Sequence, residues 1–285
     1  IPYVIAMNKA DLVTVPENIP ENMIFVSARE NGNIHALKEK IAALVHSVPP
    51  ARELIADLVS PGDAVVLVTP IDSAAPKGRL ILPQQQTIRS LLDAGCIPVV
   101  TRETELARTL SLLREPPALV VTDSQAFGMV SRIVPDSVRL TSFSILFARY
   151  KGDLRTAVLG AAALRRLKDG DTVLISEGCT HHRQCGDIGT EKLPRWVRQY
   201  TGRDIRFVFT SGGEFPENLS PYALIIHCGA CMLGEREMQS RLRRAAEQCI
   251  PVTNYGIAIA QIHGILDRAL RPFSTLHAEW EKQQQ

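Results

Sequence analysis

The sequence predicts an α/β protein built on parallel sheets, and three observations carry that reading. Short runs of Val, Ile and Leu look like buried strands, segments with helical spacing separate them, and the alternation starts again after Tyr150, which gives two such sheets. The run Ile1-Pro2-Tyr3-Val4-Ile5-Ala6-Met7 reads as a first strand and Met23-Ile24-Phe25-Val26 as a second. A helix over residues 33–48 places Ile34, Leu37, Ile41, Leu44 and Val45 on one face, and Pro49-Pro50 stops it, marking a boundary. Ala64-Val65-Val66-Leu67-Val68, Ile97-Pro98-Val99-Val100, Ala118-Leu119-Val120-Val121 and Val138-Arg139-Leu140 are the strands of the first sheet, with helices over residues 84–94 and 103–113. The second sheet is expected from strands near residues 171–176, 206–209, 222–226 and 250–253. Cys96 and Cys249 each lie between a helix and an Ile-Pro-Val strand, where a small buried thiol is expected. The end of the chain is polar and rich in glutamine, and is expected to fray. The resulting domains are 1–48, 52–140, 141–275 and a polar tail, 276–285.

With 32 Lys and Arg against 30 Asp and Glu, the net charge is +2, which gives no general drive toward nucleic acid or an anionic membrane. Neither is expected as a partner. Apolar stretches such as residues 157–164 fall far short of the roughly 20 residues a spanning helix needs. No secretory signal is visible, so the cytoplasm is the expected compartment. Six cysteines do not form the dense ladder of a small secreted domain, and reduced thiols serving a metal fit better.

Two groups of motifs carry chemistry. At the end of the first strand, Asn8-Lys9-Ala10-Asp11 matches the guanine-specificity motif N-K-x-D, in which an aspartate accepts both N–H groups on the edge of guanine and the lysine stem covers the base. After the second strand, Ser27-Ala28-Arg29-Glu30-Asn31-Gly32 resembles the S-A-x-x-G loop that closes on the guanine carbonyl. No G-x-x-x-x-G-K-[ST] phosphate loop occurs anywhere in the sequence. The chain therefore reads as the carboxyl-terminal part of a longer GTPase, an end fragment of its nucleotide domain followed by two parallel-sheet α/β domains. On its own it is not expected to hydrolyse GTP.

The second group is Cys179-Thr180-His181 and His227-Cys228-Gly229-Ala230-Cys231, each at the end of an apolar run of the second sheet. Open α/β sheets place ligands in the crevice at the carboxyl ends of their strands. Soft thiolates converging there would hold an iron–sulfur cluster or another thiophilic metal, and three cysteines leave one iron of a four-iron cube to a further ligand. His181, His227, Asp187 and Cys185 are the candidates for that position or for a supporting contact with the ligands. His182, Arg183 and Lys192 make the first loop basic, as a solvated surface or as a seat for an anionic guest. Spacing alone leaves two alternatives open: a structural zinc site from Cys179, Cys228, Cys231 and one histidine, in a GTP-regulated docking protein, and a thiol oxidoreductase using Cys228 and Cys231.

Taken together, the chain resembles the HydF-type maturation GTPases of [FeFe]-hydrogenase. The N-K-x-D and S-A-x-x-G pair resembles the end of that family's GTPase domain, the stretch from Pro76-Lys77-Gly78-Arg79 through Pro83-Gln84-Gln85-Gln86-Thr87-Ile88-Arg89 resembles its dimerisation domain, and C-x-H followed by H-C-x-x-C is similar to its cluster-binding motif. The resemblance implies a [4Fe-4S] cluster on Cys179, Cys228 and Cys231 with a variable fourth ligand, GTP and Mg2+ in the intact protein, and a homodimer formed by the middle domain. It further implies a scaffold or carrier for the diiron subcluster, with a CO- and CN-bearing diiron precursor as transient cargo, two radical-SAM maturases as partners and the apo-[FeFe]-hydrogenase as acceptor.

Overall fold

The computed structural model describes residues 2–45, 53–71, 80–178, 187–230 and 233–284. The Pro49-Pro50 pair, the Lys77-Gly78-Arg79 loop, and Cys179, His181, His182, Arg183, Cys185 and Cys231 lie outside them. The chain divides into two compact units, residues 1–51 and 52–285.

In the first unit, β1 (Ile5–Met7) and β2 (Met23–Phe25) pair in parallel, Ala6 opposite Ile24. They are followed by α1 (Ile34–Val45). Ile24 and Val26 are buried, but Ile41, which periodicity places on the inner face of the helix, is 47% exposed. Two strands of three residues offer too little sheet to cover a helix of 12.

The second unit holds β3 (Ala64–Val68), α2 (Leu82–Asp93), β4 (Ile97–Thr101), α3 (Leu106–Leu112), β5 (Leu119–Thr122), α4 (Phe127–Ile133), β6 (Leu140–Ser142), α5 (Phe143–Lys151) and α6 (Leu154–Ala161). It continues through β7 (Thr172–Ser176), α7 (Leu193–Thr201), β8 (Arg206–Thr210), β9 (Leu224–His227), α8 (Glu235–Glu247), β10 (Val252–Asn254), α9 (Tyr255–Ile262), α10 (Leu266–Leu270) and α11 (Ser274–Gln284). All pairings are parallel, in two four-stranded sheets ordered β4-β3-β5-β6 and β10-β9-β7-β8.

Both sheets are covered on both faces, which is why their central strands are continuously apolar rather than alternating. In the first, Val66, Val68 and Val120 face one core with Phe127 and Val158, while Val65, Leu67, Leu119 and Val121 face the other with Leu91, Phe143 and Phe147. In the second, Val173, Ile175, Leu224 and Ile226 share a core with Leu193 and Val197, and Leu174 and Ile225 share one with Leu219, Met238 and Leu242.

Strand starts differ from the apolar runs in an informative way. The run Val138-Arg139-Leu140 becomes a strand only at Leu140, because the Val138 N–H closes a turn onto the Pro135 carbonyl at 3.0 Å. The last strand residue then caps the next helix without a loop. Ser142 Oγ accepts from the Ile145 N–H at 3.2 Å, and Asn254 Oδ1 accepts from the Ile257 N–H at 2.8 Å. Gly256 lets these two corners meet, since a Cβ there would lie 2.2 Å from Ser144 Cβ.

Two expectations are corrected. Cys249 is exposed and sits at φ 56°, in the turn that ends α8, so of these two thiols Cys96 alone is buried, donating to the Ser60 carbonyl at 3.3 Å. Burial pushes the Cys96 thiol up from its ordinary value. The polar tail is not frayed through residue 284: it forms α11, whose Trp280 is 2% exposed in the core of the first sheet and whose Glu279 pairs with Arg155. One aromatic side chain on the inner face anchors an otherwise polar helix.

Candidate metal centre and guanine-motif residues

In the first unit the two guanine motifs come together. Lys9 takes a left-handed conformation at φ 66°, which turns Asn8 so that its Oδ1 accepts from the Lys9 N–H at 2.8 Å and from the Ala28 N–H at 3.1 Å. Asp11 Oδ1 accepts from Ser27 Oγ at 2.6 Å, and Ser27 Oγ in turn accepts from the Glu30 N–H at 3.2 Å. Asn8 thus ties N-K-x-D to the S-A-x-x-G loop through main chain, and Ser27 holds Asp11 in place. Asn8, Lys9 and Ala28 remain exposed, open to a planar base.

In the second unit the order β10-β9-β7-β8 makes β7 and β9 neighbours, with Ser176 opposite His227. The chains leaving the two strands run side by side, and the Cys228 N–H donates to the Ser176 carbonyl at 2.9 Å. Cys228 Sγ accepts two main-chain hydrogen bonds, from Gly178 at 3.0 Å and from Ala230 at 3.4 Å. Two N–H dipoles aimed at one sulfur stabilise negative charge on it, the state a metal ligand needs. Gly178 precedes Cys179 in the sequence and Ala230 precedes Cys231. The two donors to Cys228 are therefore the residues next to the other two predicted ligands.

Small residues are required here. A Cβ at Gly178 would strike the Leu233 side chain at 2.6 Å, whereas one at Gly229 would meet nothing within 4 Å, so the turn is tight on one side and open on the other. Ala230 takes φ 52°, bending the chain back under the sulfur. Beside the turn lies a small, largely apolar pocket bordered by Cys228, Gly229, Ala230, Met238 and Thr253. A thiol with main-chain donors and open space at Gly229 fit a cluster or a soft metal ion.

His227 is the last residue of β9 and is buried. It is 1% exposed, its Nδ1 donates to the Cys228 carbonyl at 2.9 Å, and its Nε2 accepts from Arg241 Nη1 at 3.1 Å. Arg241 carries no acceptor, so this pairing fixes the Nδ1–H tautomer. Both nitrogens are engaged within the protein. Burial first, with Arg241 adding to it, pushes the His227 pKa down to about 4, and the ring is neutral. Asp187 Oδ2 accepts from the Thr190 N–H and Oγ1, each at 2.9 Å, capping the turn that leads to α7. Lys192 donates to the Gln125 side chain at 3.2 Å.

Three side chains around the site escaped the motif reading. Arg241 is 2% exposed and also donates to the Gly212 carbonyl at 2.7 Å and to Glu237 at 2.8 Å, with its guanidinium over the Phe215 ring. Its signal was its position: Met238, Arg241, Leu242 and Ala245 form one helical stripe, and a cation on an apolar stripe is a buried cation. Glu177, 4% exposed and two residues before Cys179, accepts from the Tyr255 hydroxyl at 3.2 Å. Burial, with Glu177 next, drives the Tyr255 hydroxyl far above its ordinary value, so it stays a donor.

Residues 54–152 match the Hydrogen maturase F dimerization domain and residues 155–272 match the Hydrogen maturase F tetramerization domain. No curated protein matches the chain significantly. Among solved structures, an ABC transporter solute-binding protein from Burkholderia multivorans aligns at 14% identity over 79% of this chain and 94% of its own, with a TM-score of 0.22, which carries no argument. Among the described residues, no helix is long and apolar enough to cross a membrane.

Proposed function

We propose, for a chain that belongs to the HydF family of hydrogenase maturation proteins, that its second sheet holds a [4Fe-4S] cluster on Cys179, Cys228 and Cys231 and that the protein is a scaffold or carrier for the diiron subcluster of [FeFe]-hydrogenase. The observation that carries this reading is the double N–H donation to Cys228 Sγ from the two residues adjoining Cys179 and Cys231. When bound, such a cluster supplies an iron site that three thiolates leave open to exchange with cargo. The protein's own contributions are distinct. Gly178 and Ala230 hold the charge on Cys228, His227 pins the Cys228 carbonyl, and Arg241 locks His227 in one tautomer. With both His227 nitrogens engaged, we assign that residue to support of the ligand turn rather than to iron.

The partners we assign by resemblance to the family are two radical-SAM maturases that supply a CO- and CN-bearing diiron unit, the apo-hydrogenase that receives it, and a second copy of the chain held through the first sheet, all in the cytoplasm. Asn8, Lys9, Asp11, Ser27 and Ala28 fit the base of GTP, with the Mg2+ and phosphate contacts assigned elsewhere, since this sequence has no phosphate loop.

Anaerobic reconstitution with iron and sulfide, followed by metal analysis and EPR of the reduced protein, tests the cluster. Expected are about four irons per chain by the three-cysteine reading, lost when Cys179, Cys228 or Cys231 is changed to Ser, and a spectrum that shifts on adding imidazole or cyanide. Tight stoichiometric zinc with no cluster signal would favour the docking reading, and a reversible Cys228–Cys231 disulfide without metal would favour the oxidoreductase. Either result overturns the proposal.

A further inference from the structure

Holding His227 Nε2 and the Gly212 carbonyl requires only N–H donors, yet α8 supplies them from a full positive charge. Arg241 is 2% exposed, and a guanidinium taken out of water carries a large desolvation cost. Its compensation is incomplete. Glu237, which accepts from Arg241 Nε at 2.8 Å, is 49% exposed, so water screens much of its charge. The buried carboxylate of the region, Glu177, bonds Tyr255 of α9, and by strand alternation it lies on the other face of β7 from Ser176 and α8.

A second cation reinforces the imbalance. The Arg241 and Arg244 guanidinium carbons lie 5.1 Å and 5.8 Å from the centroid of one ring, that of Phe215. Arg244 spends its Nη1 on the Phe215 and Pro216 carbonyls at 3.2 Å and 3.3 Å, and among the described residues no carboxylate pairs with it. The side of the ligand turn that α8 covers therefore carries surplus positive charge. Two short routes lead from that charge to Cys228. Arg241 Nη1 donates to His227 Nε2 at 3.1 Å, and His227 Nδ1 donates to the Cys228 carbonyl at 2.9 Å. The same Nη1 lies 3.4 Å from Ser176 Oγ, and the Ser176 carbonyl accepts from the Cys228 N–H at 2.9 Å.

We propose that the charge of Arg241, apart from its hydrogen bonds, raises the reduction potential of the cluster on Cys179, Cys228 and Cys231. The inference rests on the cluster reading given above. Three thiolates leave a four-iron cube anionic, and one electron taken up from a reductant adds a further negative charge with no bond made or broken. A fixed cation in surroundings poor in water stabilises the more negative state more, so reduction becomes easier. Arg241 is thus a positioning residue for His227 and, through its charge, the residue that sets the potential of the site.

An EPR-monitored redox titration of the reconstituted chain, with dithionite as the electron donor, tests this. In Arg241→Met the reduced-to-oxidised ratio at a fixed potential should fall about tenfold, a midpoint lower by about 59 mV for a one-electron couple. Arg241→Lys keeps the charge and loses the planar fork, so its ratio should stay within about threefold of wild type. Because Arg241→Met also weakens the fold, Glu237→Gln, which leaves the His227 and Gly212 bonds in place, carries the test independently. It removes a negative charge and should shift the midpoint upward, by a smaller step because the carboxylate is half exposed. Opposite shifts from the two partners of one ion pair follow the sign of the charge, which a loosened turn does not. Iron content and the wild-type signal report on the cluster by themselves, and their absence would overturn both readings. A wild-type cluster whose midpoint is unmoved by Arg241→Met, is lowered as far by Arg241→Lys, or falls in Glu237→Gln would overturn this inference alone.

Discussion

Replacing Arg241 with methionine keeps the stem that packs beside Met238 and Leu242 and removes every donor, so it isolates what the guanidinium does at the ligand turn. The loss is dominated by His227 Nε2, which is left without a donor where water cannot reach it, and by the Gly212 carbonyl, whose 2.7 Å bond from Arg241 disappears. A buried acceptor stranded in this way costs about 1–3 kcal/mol. The Glu237 pair adds little, because that carboxylate is 49% exposed and returns to water, and the desolvation of the guanidinium is relieved, which offsets part of the loss. The net expectation is a destabilisation of about 2–3 kcal/mol, roughly a 30- to 150-fold shift in the folded-to-unfolded ratio. Denaturant unfolding followed by circular dichroism measures the total, and hydrogen exchange at the amides of β7 and β9 locates it. Arg241→Lys should recover less than half, since one ammonium cannot reach His227 and Gly212 together. A double variant with His227→Leu should be less damaged than the sum of its parts by about 1 kcal/mol, because the stranded acceptor is gone. An Arg241→Met variant within about 0.5 kcal/mol of wild type and additive with His227→Leu would refute the claim that this arginine holds the site.

Two further outcomes follow from contacts elsewhere. Gly160→Ala places a methyl group 1.9 Å from a main-chain oxygen of β10, where no side-chain rotation can relieve it; the loss should exceed the roughly 1–3 kcal/mol of ordinary overpacking, and an unchanged melting temperature would contradict the close packing of α6 on β10. At α11, the hydrogen bond and charge of Arg155 hold the Glu279 carboxyl below its ordinary value. As pH falls the unfolded chain takes up this proton first, so the stabilisation is present above the unfolded pKa of 4.5 and disappears as pH drops through the folded value. Trp280 fluorescence should follow α11 in an acid titration, and Glu279→Gln should flatten that transition; identical acid curves for the two proteins would remove the pair as an anchor.

Much of the architecture was fixed by local chemistry. Runs such as Val65-Val66-Leu67-Val68 and Leu224-Ile225-Ile226 are apolar at every position because both faces of their strands are covered, so the sequence alone determines strands, parallel pairing and two sheets. The guanine motifs and the cysteine motifs are visible in the sequence as short segments at strand ends, with Cys179 and Cys231 outside the described residues. Other features depended on which segments become neighbours. Whether Cys228 faces Gly178 depends on β9 lying beside β7 rather than beyond β8, a choice no periodicity encodes. In sequence His227 is open to two roles, a fourth ligand or a supporting contact beside the cysteine, and the partner of its second nitrogen, Arg241, lies 14 residues on. The tail reads as frayed until Trp280 finds the core of a sheet that began more than 200 residues earlier, and Ile41 reads as buried until the two strands beneath it prove too short. Composition and spacing report what a segment can do with its own neighbours in sequence. Burial, tautomer and strand order are properties of contacts between distant segments, and only the tertiary structure decides them.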